Sequence, residues 1–156
     1  MNSRQSNMSQ PPGTTFLGTH TVLYIEDNLI AVRLMEEIVD LIAGLTMISS
    51  HDAITGLKLA EETHPDIVIC DIRLPDVDGY EALARLRVME STRETPVLAL
   101  SANASPDDVK KATEAGFDAY LTKSIDIGQT VDTIRTAIDN VPDNVIDFAK
   151  YRSKGA

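Results

Sequence analysis

From His20 onward the chain alternates five times between short apolar runs and longer stretches of mixed polarity. The apolar runs fall at about residues 20–26, 45–50, 66–71, 96–101 and 117–122. Each is rich in Val, Ile and Leu, and most lack the in–out alternation of a strand with one wet face. That pattern predicts strands covered on both faces, as in a parallel sheet. Five strand–helix units within about 120 residues then predict an α/β fold, a doubly wound five-stranded parallel sheet with helices on both sides.

The stretches between the runs carry helix signals. Asp52 is positioned to cap the second helix, and the Asp78-Gly79 turn leads into the third. The fourth opens Ser105-Pro106-Asp107-Asp108: a cap, proline at the first helical position, and acids against the helix dipole. Gly116 ends it. The fifth carries Ile127, Val131, Ile134 and Ile138 at helical spacing, with Pro142 soon after. Residues 1–19, rich in Asn, Ser, Gln, Pro and Thr, read as a disordered leader. Residues 20–140 form the domain, and residues 141–156 a flexible C-terminal tail. Val145, Ile146, Phe148 and Tyr151 in that tail offer a short segment able to dock on this domain or a partner.

Composition narrows the function. A net charge of −10, from 14 basic and 24 acidic residues, lacks the concentrated positive surface that nucleic acid demands. One cysteine excludes a disulfide framework and a thiolate zinc site. No apolar run reaches membrane-spanning length, and the polar N-terminus has no secretion signal. The expected compartment is the cytoplasm. His20, His51 and His64 have no metal-ligand spacing and are expected at the surface.

The chemistry sits where the apolar runs stop. Val22-Leu23-Tyr24-Ile25 ends on Glu26-Asp27, Ile67-Val68-Ile69-Cys70 on Asp71, Val97-Leu98-Ala99-Leu100 on Ser101, and Tyr120-Leu121-Thr122 on Lys123. Ligands of open α/β sheets bind beyond the carboxyl ends of the strands. Three carboxylates, a hydroxyl and an ammonium are thus expected at one edge, a set suited to Mg²⁺-assisted acceptance of a phosphoryl group. Asp71 can be a nucleophile that forms an acyl phosphate or a structural cap, and the Arg73-Leu74-Pro75-Asp76 loop after it is not helix-like. Glu26 and Asp27 can cap the next helix or, facing Asp71, require a cation; hard oxygen donors suit Mg²⁺ better than zinc or iron. Lys123 can be an ordinary solvated lysine or offset the roughly −2 charge of a phosphoryl group. Ser101 can close its strand or donate to a phosphoryl oxygen, but no Gly-x-Ser-x-Gly elbow surrounds it. Cys70 reads as a small core residue.

Together these residues resemble the receiver domain of bacterial two-component response regulators. The likeness covers residues 20–140 and rests on four motifs in order: Tyr24-Ile25-Glu26-Asp27-Asn28, Cys70-Asp71-Ile72-Arg73-Leu74-Pro75-Asp76-Val77-Asp78-Gly79, Ala99-Leu100-Ser101-Ala102 and Ala119-Tyr120-Leu121-Thr122-Lys123. It implies a flavodoxin-like (βα)5 fold with strand order 2-1-3-4-5. It implies that Asp71 takes a phosphoryl group from a phosphohistidine on a sensor histidine kinase or histidine phosphotransfer protein. Asp27 and Asp71 would contact Mg²⁺ directly, Glu26 through water, and the Arg73 backbone carbonyl would also ligate. Lys123 and Ser101 would hold phosphoryl oxygens, and Tyr120 would turn inward as Ser101 moves. The alternative for Tyr120 is a fixed, half-buried strand aromatic. One departure stands out: Ser124 follows the lysine where the family usually has proline, often in a cis peptide. A cis bond before a non-proline residue costs about 2.5–4 kcal/mol; the geometry of this peptide stays open, and a trans bond would aim the lysine differently.

The first helix has apolar residues over more than half its circumference at about 100° per residue. Val32, Met35 and Val39 are the expected surplus edge, covered by a neighbouring helix or docking a partner's helix. The expected activity is a phosphoacceptor switch that catalyses its own phosphorylation and dephosphorylation, not a turnover enzyme, with output through contact with a further protein. The alternatives are a binding module of the same fold that is never phosphorylated, or a Mg²⁺ phosphohydrolase with an aspartyl nucleophile. The second would want an acid where Arg73 stands. The residues fit both a free-standing receiver and one cut from a larger hybrid kinase.

Overall fold

The computed structural model describes residues 15–139. Strands and helices alternate without exception: β1 (Thr15–Ile25), α1 (Leu29–Asp40), β2 (Ala43–Ser50), α2 (Ala53–Thr63), β3 (Ile67–Asp71), α3 (Gly79–Val88), β4 (Val97–Ser101), α4 (Pro106–Ala115), β5 (Ala119–Thr122) and α5 (Ile127–Asp139). The strands form one parallel sheet in the order β2-β1-β3-β4-β5.

Successive side chains leave a strand on opposite faces, so the central strands feed two cores. Val22, Tyr24, Ile67, Ile69, Leu98 and Leu100 pack with Met35, Ile38, Ile134 and Ile138 of α1 and α5. Leu23, Ile25, Val68, Cys70, Val97 and Ala99 pack with Leu57, Leu83, Leu86 and Ala112 of α2, α3 and α4. Every residue of β3 and β4 is buried, which is why neither strand shows polar alternation.

Local chemistry sets the helix ends. Asp52, Asp78 and Ser105 accept from Thr55, Glu81 and Asp108 backbone N–H groups as N-caps of α2, α3 and α4. Asn28 caps α1 by accepting from Ile30 and Ala31, leaving the neighbouring acids for other work. Gly116 closes α4 at φ 113°, a left-handed conformation that glycine adopts without a Cβ clash.

Several expectations change. β1 begins at Thr15, pairing with Ala43 across an irregular register, so residues 15–19 of the expected leader join the sheet. Residues 1–14 and 140–156, including Pro142 and the apolar tail segment, lie outside the described residues. His20 is buried, whereas His51 and His64 are exposed. On α5, Thr130 is buried and Ile127 is half exposed. Of the two alternatives for Val32, Met35 and Val39, cover by a neighbouring helix holds and docking does not: they lie in the core between the sheet, α1 and α5, and Met35 is fully buried. The real apolar surplus of α1 is its opposite side, with Ile30 at 80% and Leu41 at 61% exposure. Periodicity defines the width of an apolar arc; only packing against β2 and α5 decides which edge turns inward.

Candidate functional site

Each site residue is delivered by a backbone ladder that runs to, or one step past, the end of its strand. Glu26 N–H donates to Ser50 carbonyl at 2.8 Å, continuing the β1–β2 ladder. Asp71 is the last residue of β3, in register with Leu100. Lys123 N–H donates to Ser101 carbonyl at 2.8 Å, carrying the β4–β5 pairing one residue onward. These anchors bring residues distant in sequence to one edge. Lys123 Nζ lies 2.9 Å from Glu26 Oε2 and 3.0 Å from Asp71 Oδ2.

The Lys123–Ser124 peptide is trans. With that trans bond the lysine still reaches both acids.

Glu26, Asp27 and Asp71 each offer an oxygen within 4.8 Å of the others'. Glu26 is fully buried, Asp71 nearly so, and Asp27 is exposed. A cleft of about 320 Å³ opens over Asp27 and Asp71, lined by these two with Asn28, Arg73, Ala102 and Lys123. Arg73 thus borders the cleft, and its N–H donates to Asp71 Oδ1 at 3.0 Å. Ser101 does not line the cleft. It is buried at the end of β4, and its Oγ accepts from Asn103 N–H at 3.1 Å. The half-buried Tyr120 donates its hydroxyl to the Asn103 carbonyl. Asn103 therefore touches both expected switch residues.

Electrostatics follow from burial and crowding. Burial pushes the Glu26 carboxyl above its ordinary value; the Lys123 hydrogen bond opposes this and the Asp71 charge adds to it. Burial pulls Lys123 down, but its hydrogen bonds to Glu26 and Asp71 outweigh that and hold the ammonium charged. Three carboxylates share this one ammonium, and the donors are hard oxygens, so the residues fit a divalent cation such as Mg²⁺.

The loop after Asp71 is tightly moored. Gly79 N–H donates to Ile72 carbonyl at 2.7 Å, and a Cβ on Gly79 would fall 2.7 Å from Ile72 Cα and 2.8 Å from the Asp71 carbonyl oxygen. Asp76 accepts from Ala53 and Ile54 N–H at 3.0 and 2.9 Å, pinning the loop to the start of α2.

The sequence pattern of the response regulator receiver domain matches residues 22–135. The chain belongs to that family.

As a receiver domain it works in two-component signalling, as a switch. It is 32% identical over 118 residues to the polar-differentiation response regulator DivK of Brucella ovis, an alignment spanning 76% of this chain and 95% of DivK. A response regulator of Chloroflexus aurantiacus superposes with a TM-score of 0.72 at 27% identity, covering 77% of this chain and 98% of that one. The receiver domain of the Pseudomonas aeruginosa sensor histidine kinase PA1611 superposes with a TM-score of 0.70 at 29% identity, over 78% and 98% of the chains; that protein has a magnesium ion coordinated in its active-site cleft. Among the described residues no helix is long and apolar enough to cross a membrane.

Three residues of this receiver's site escaped the sequence reading. Asn28 lines the cleft, and its capping role was legible from its place before an apolar stretch. Asn103 carried no sequence signal. Tyr24 did carry one: a tyrosine in an otherwise aliphatic buried strand needs a partner for its hydroxyl. That partner is Glu26, whose Oε1 accepts from Tyr24 at 3.1 Å. Burial, then the Glu26 charge, raises the Tyr24 hydroxyl far above its ordinary range, so it remains a donor.

Proposed function

We propose that this receiver domain is a Mg²⁺-dependent phosphoacceptor switch in a two-component phosphorelay, loaded on Asp71 by a phosphohistidine of a sensor histidine kinase or histidine phosphotransfer protein. The observation that carries the reading is Lys123 bridging Glu26 and Asp71 beside the cleft, with Asp27 alongside. An Asp71 carboxylate oxygen attacks the phosphorus; a P–O bond forms as the P–N bond breaks, and the electron pair stays on the imidazole nitrogen. Loss of the phosphoryl group is the matching attack by water, with the Asp71 carboxylate as leaving group.

Lys123 offsets the roughly −2 charge that arrives. The Arg73 N–H holds Asp71 Oδ1, which orients the other oxygen toward the reaction. Bound Mg²⁺, held by Asp27, Asp71, Glu26 and the Arg73 carbonyl, would supply positive charge to the phosphoryl oxygens. Ser101 turns its hydroxyl to a phosphoryl oxygen and gives up its contact with Asn103 N–H. Because Tyr120 is tied to the Asn103 carbonyl, that exchange biases two arrangements of the loop between β4 and α4. The signal leaves by contact with a downstream protein.

Incubation with acetyl phosphate and Mg²⁺, followed by intact mass, tests this. The native protein gains one phosphoryl group and Asp71→Asn gains none. A native protein that gains nothing, or an Asp71→Asn variant that still gains it, overturns the reading.

A further inference from the structure

The Glu26 carboxylate has its contacts on two separate oxygens. Oε2 accepts from Lys123 Nζ at 2.9 Å and from Asn28 N–H at 3.2 Å. Oε1 accepts from the Tyr24 hydroxyl. Tyr24 lies on β1 and Glu26 one residue past its end, two positions on along the continuing ladder and so on the same face, and both are fully buried. The ring fills the α1–α5 core as an aliphatic residue would, but its hydroxyl reaches past the strand end into the acidic cluster.

A carboxylate gripped on one oxygen is free to swing, because its terminal torsion is broad and nearly two-fold. The Tyr24 hydroxyl removes that freedom. With Oε1 clamped, Oε2 is held on the side of Lys123 and Asn28, two residues that line the cleft.

We propose that Tyr24 is a positioning residue for the cation site: it acts through Glu26, fixing which oxygen that acid presents. This rests on the reading of the cluster as a Mg²⁺ site. Groups one step removed from a metal ligand commonly change affinity about 10–100-fold when lost, and an acid that reaches the ion indirectly belongs at the low end. Tyr24→Phe therefore weakens Mg²⁺ binding about tenfold by titration calorimetry. In the metal-free protein it also shifts the Glu26 carboxyl carbon resonance, a change that filling the core alone does not produce. Tyr24→Phe has no further effect on Mg²⁺ affinity in a Glu26→Gln background.

Unchanged Mg²⁺ affinity in Tyr24→Phe, or equal losses in both backgrounds, overturns the proposal. Should Tyr24→Phe fail to fold, the native protein supplies the measurement. The buried Tyr24 hydroxyl proton exchanges slowly and its resonance moves with Mg²⁺ titration; a proton that stays unmoved overturns the proposal. A native protein without Mg²⁺ affinity fails before any variant is made, which overturns the site reading itself.

Discussion

At the amino-terminal end of the sheet, Arg87 of α3 donates to the carbonyls of Arg93, Thr95 and Gly116 and to Asp118 Oδ2 at 3.0 Å, and Asp118 also accepts from Val97 N–H. At the carboxyl end, Lys123 is likewise a cation tied to acids at strand ends. The materials match, but the charge balance does not. Arg87 meets one acid and three neutral carbonyls, a closed staple that needs nothing from outside. Lys123 meets two acids with a third beside them, more carboxylates than one ammonium can pair with. One end holds loops in place; the other, on the function proposed above, receives a cation and then a phosphoryl group.

Lys123→Ala separates the two ends most sharply. It strips a fully buried Glu26 of its counter-ion and is expected to cost about 3 kcal/mol by urea unfolding without Mg²⁺. Mg²⁺ restores part of that, since a cation can replace the ammonium. Burial holds the folded Glu26 carboxyl above its ordinary 4.5, with Asp71 adding to the rise, so the folded protein binds this proton more tightly than the unfolded chain does. Stability from that group is present below 4.5 and lost as pH climbs through the raised value. The Lys123→Ala deficit therefore grows from acid toward neutral pH; a deficit that shrinks over that range would contradict the account.

Arg87→Leu is expected to cost less, about 1–2 kcal/mol, because both ion-pair partners are partly exposed. Phosphoryl uptake measured by intact mass stays at the native level, and a large loss of uptake would erase the distinction between the ends. Asp76→Ala has the smallest effect. Slight desolvation raises this exposed acid, but N–H donors of Ala53, Ile54, Val77 and Asp76 itself outweigh it and hold the carboxyl below 3.8. Its contribution is present above 3.8 and disappears as pH falls through the lower folded value. Native and variant denaturation midpoints should differ at neutral pH and converge in strong acid.

Strand positions, helix caps and the set of strand-end residues were legible because each depends on a few neighbouring residues. Ile67-Val68-Ile69-Cys70 followed by Asp71, for example, already announces a buried strand closed by an acid. Whether a neighbouring helix or a partner covers Val32, Met35 and Val39 stayed open in the sequence, because these residues differ from Ile30 and Leu41 only in what packs on them; α5 supplies the cover. The geometry around Lys123 stayed open because the local cue, Ser124, says nothing of the distant contacts, the carbonyl of Ser101 and the acids Glu26 and Asp71.

An alternating fold with acids, a hydroxyl and a lysine at successive strand ends is thus written in the chain directly, since run length and periodicity are local properties. Three outcomes are not: that Lys123 meets Glu26 across 97 residues of chain, that Tyr24 reaches the same acid, and which face of α1 is hidden. They arise only in the folded molecule, from strand register and from one layer packing against another, and no window of neighbouring residues contains either.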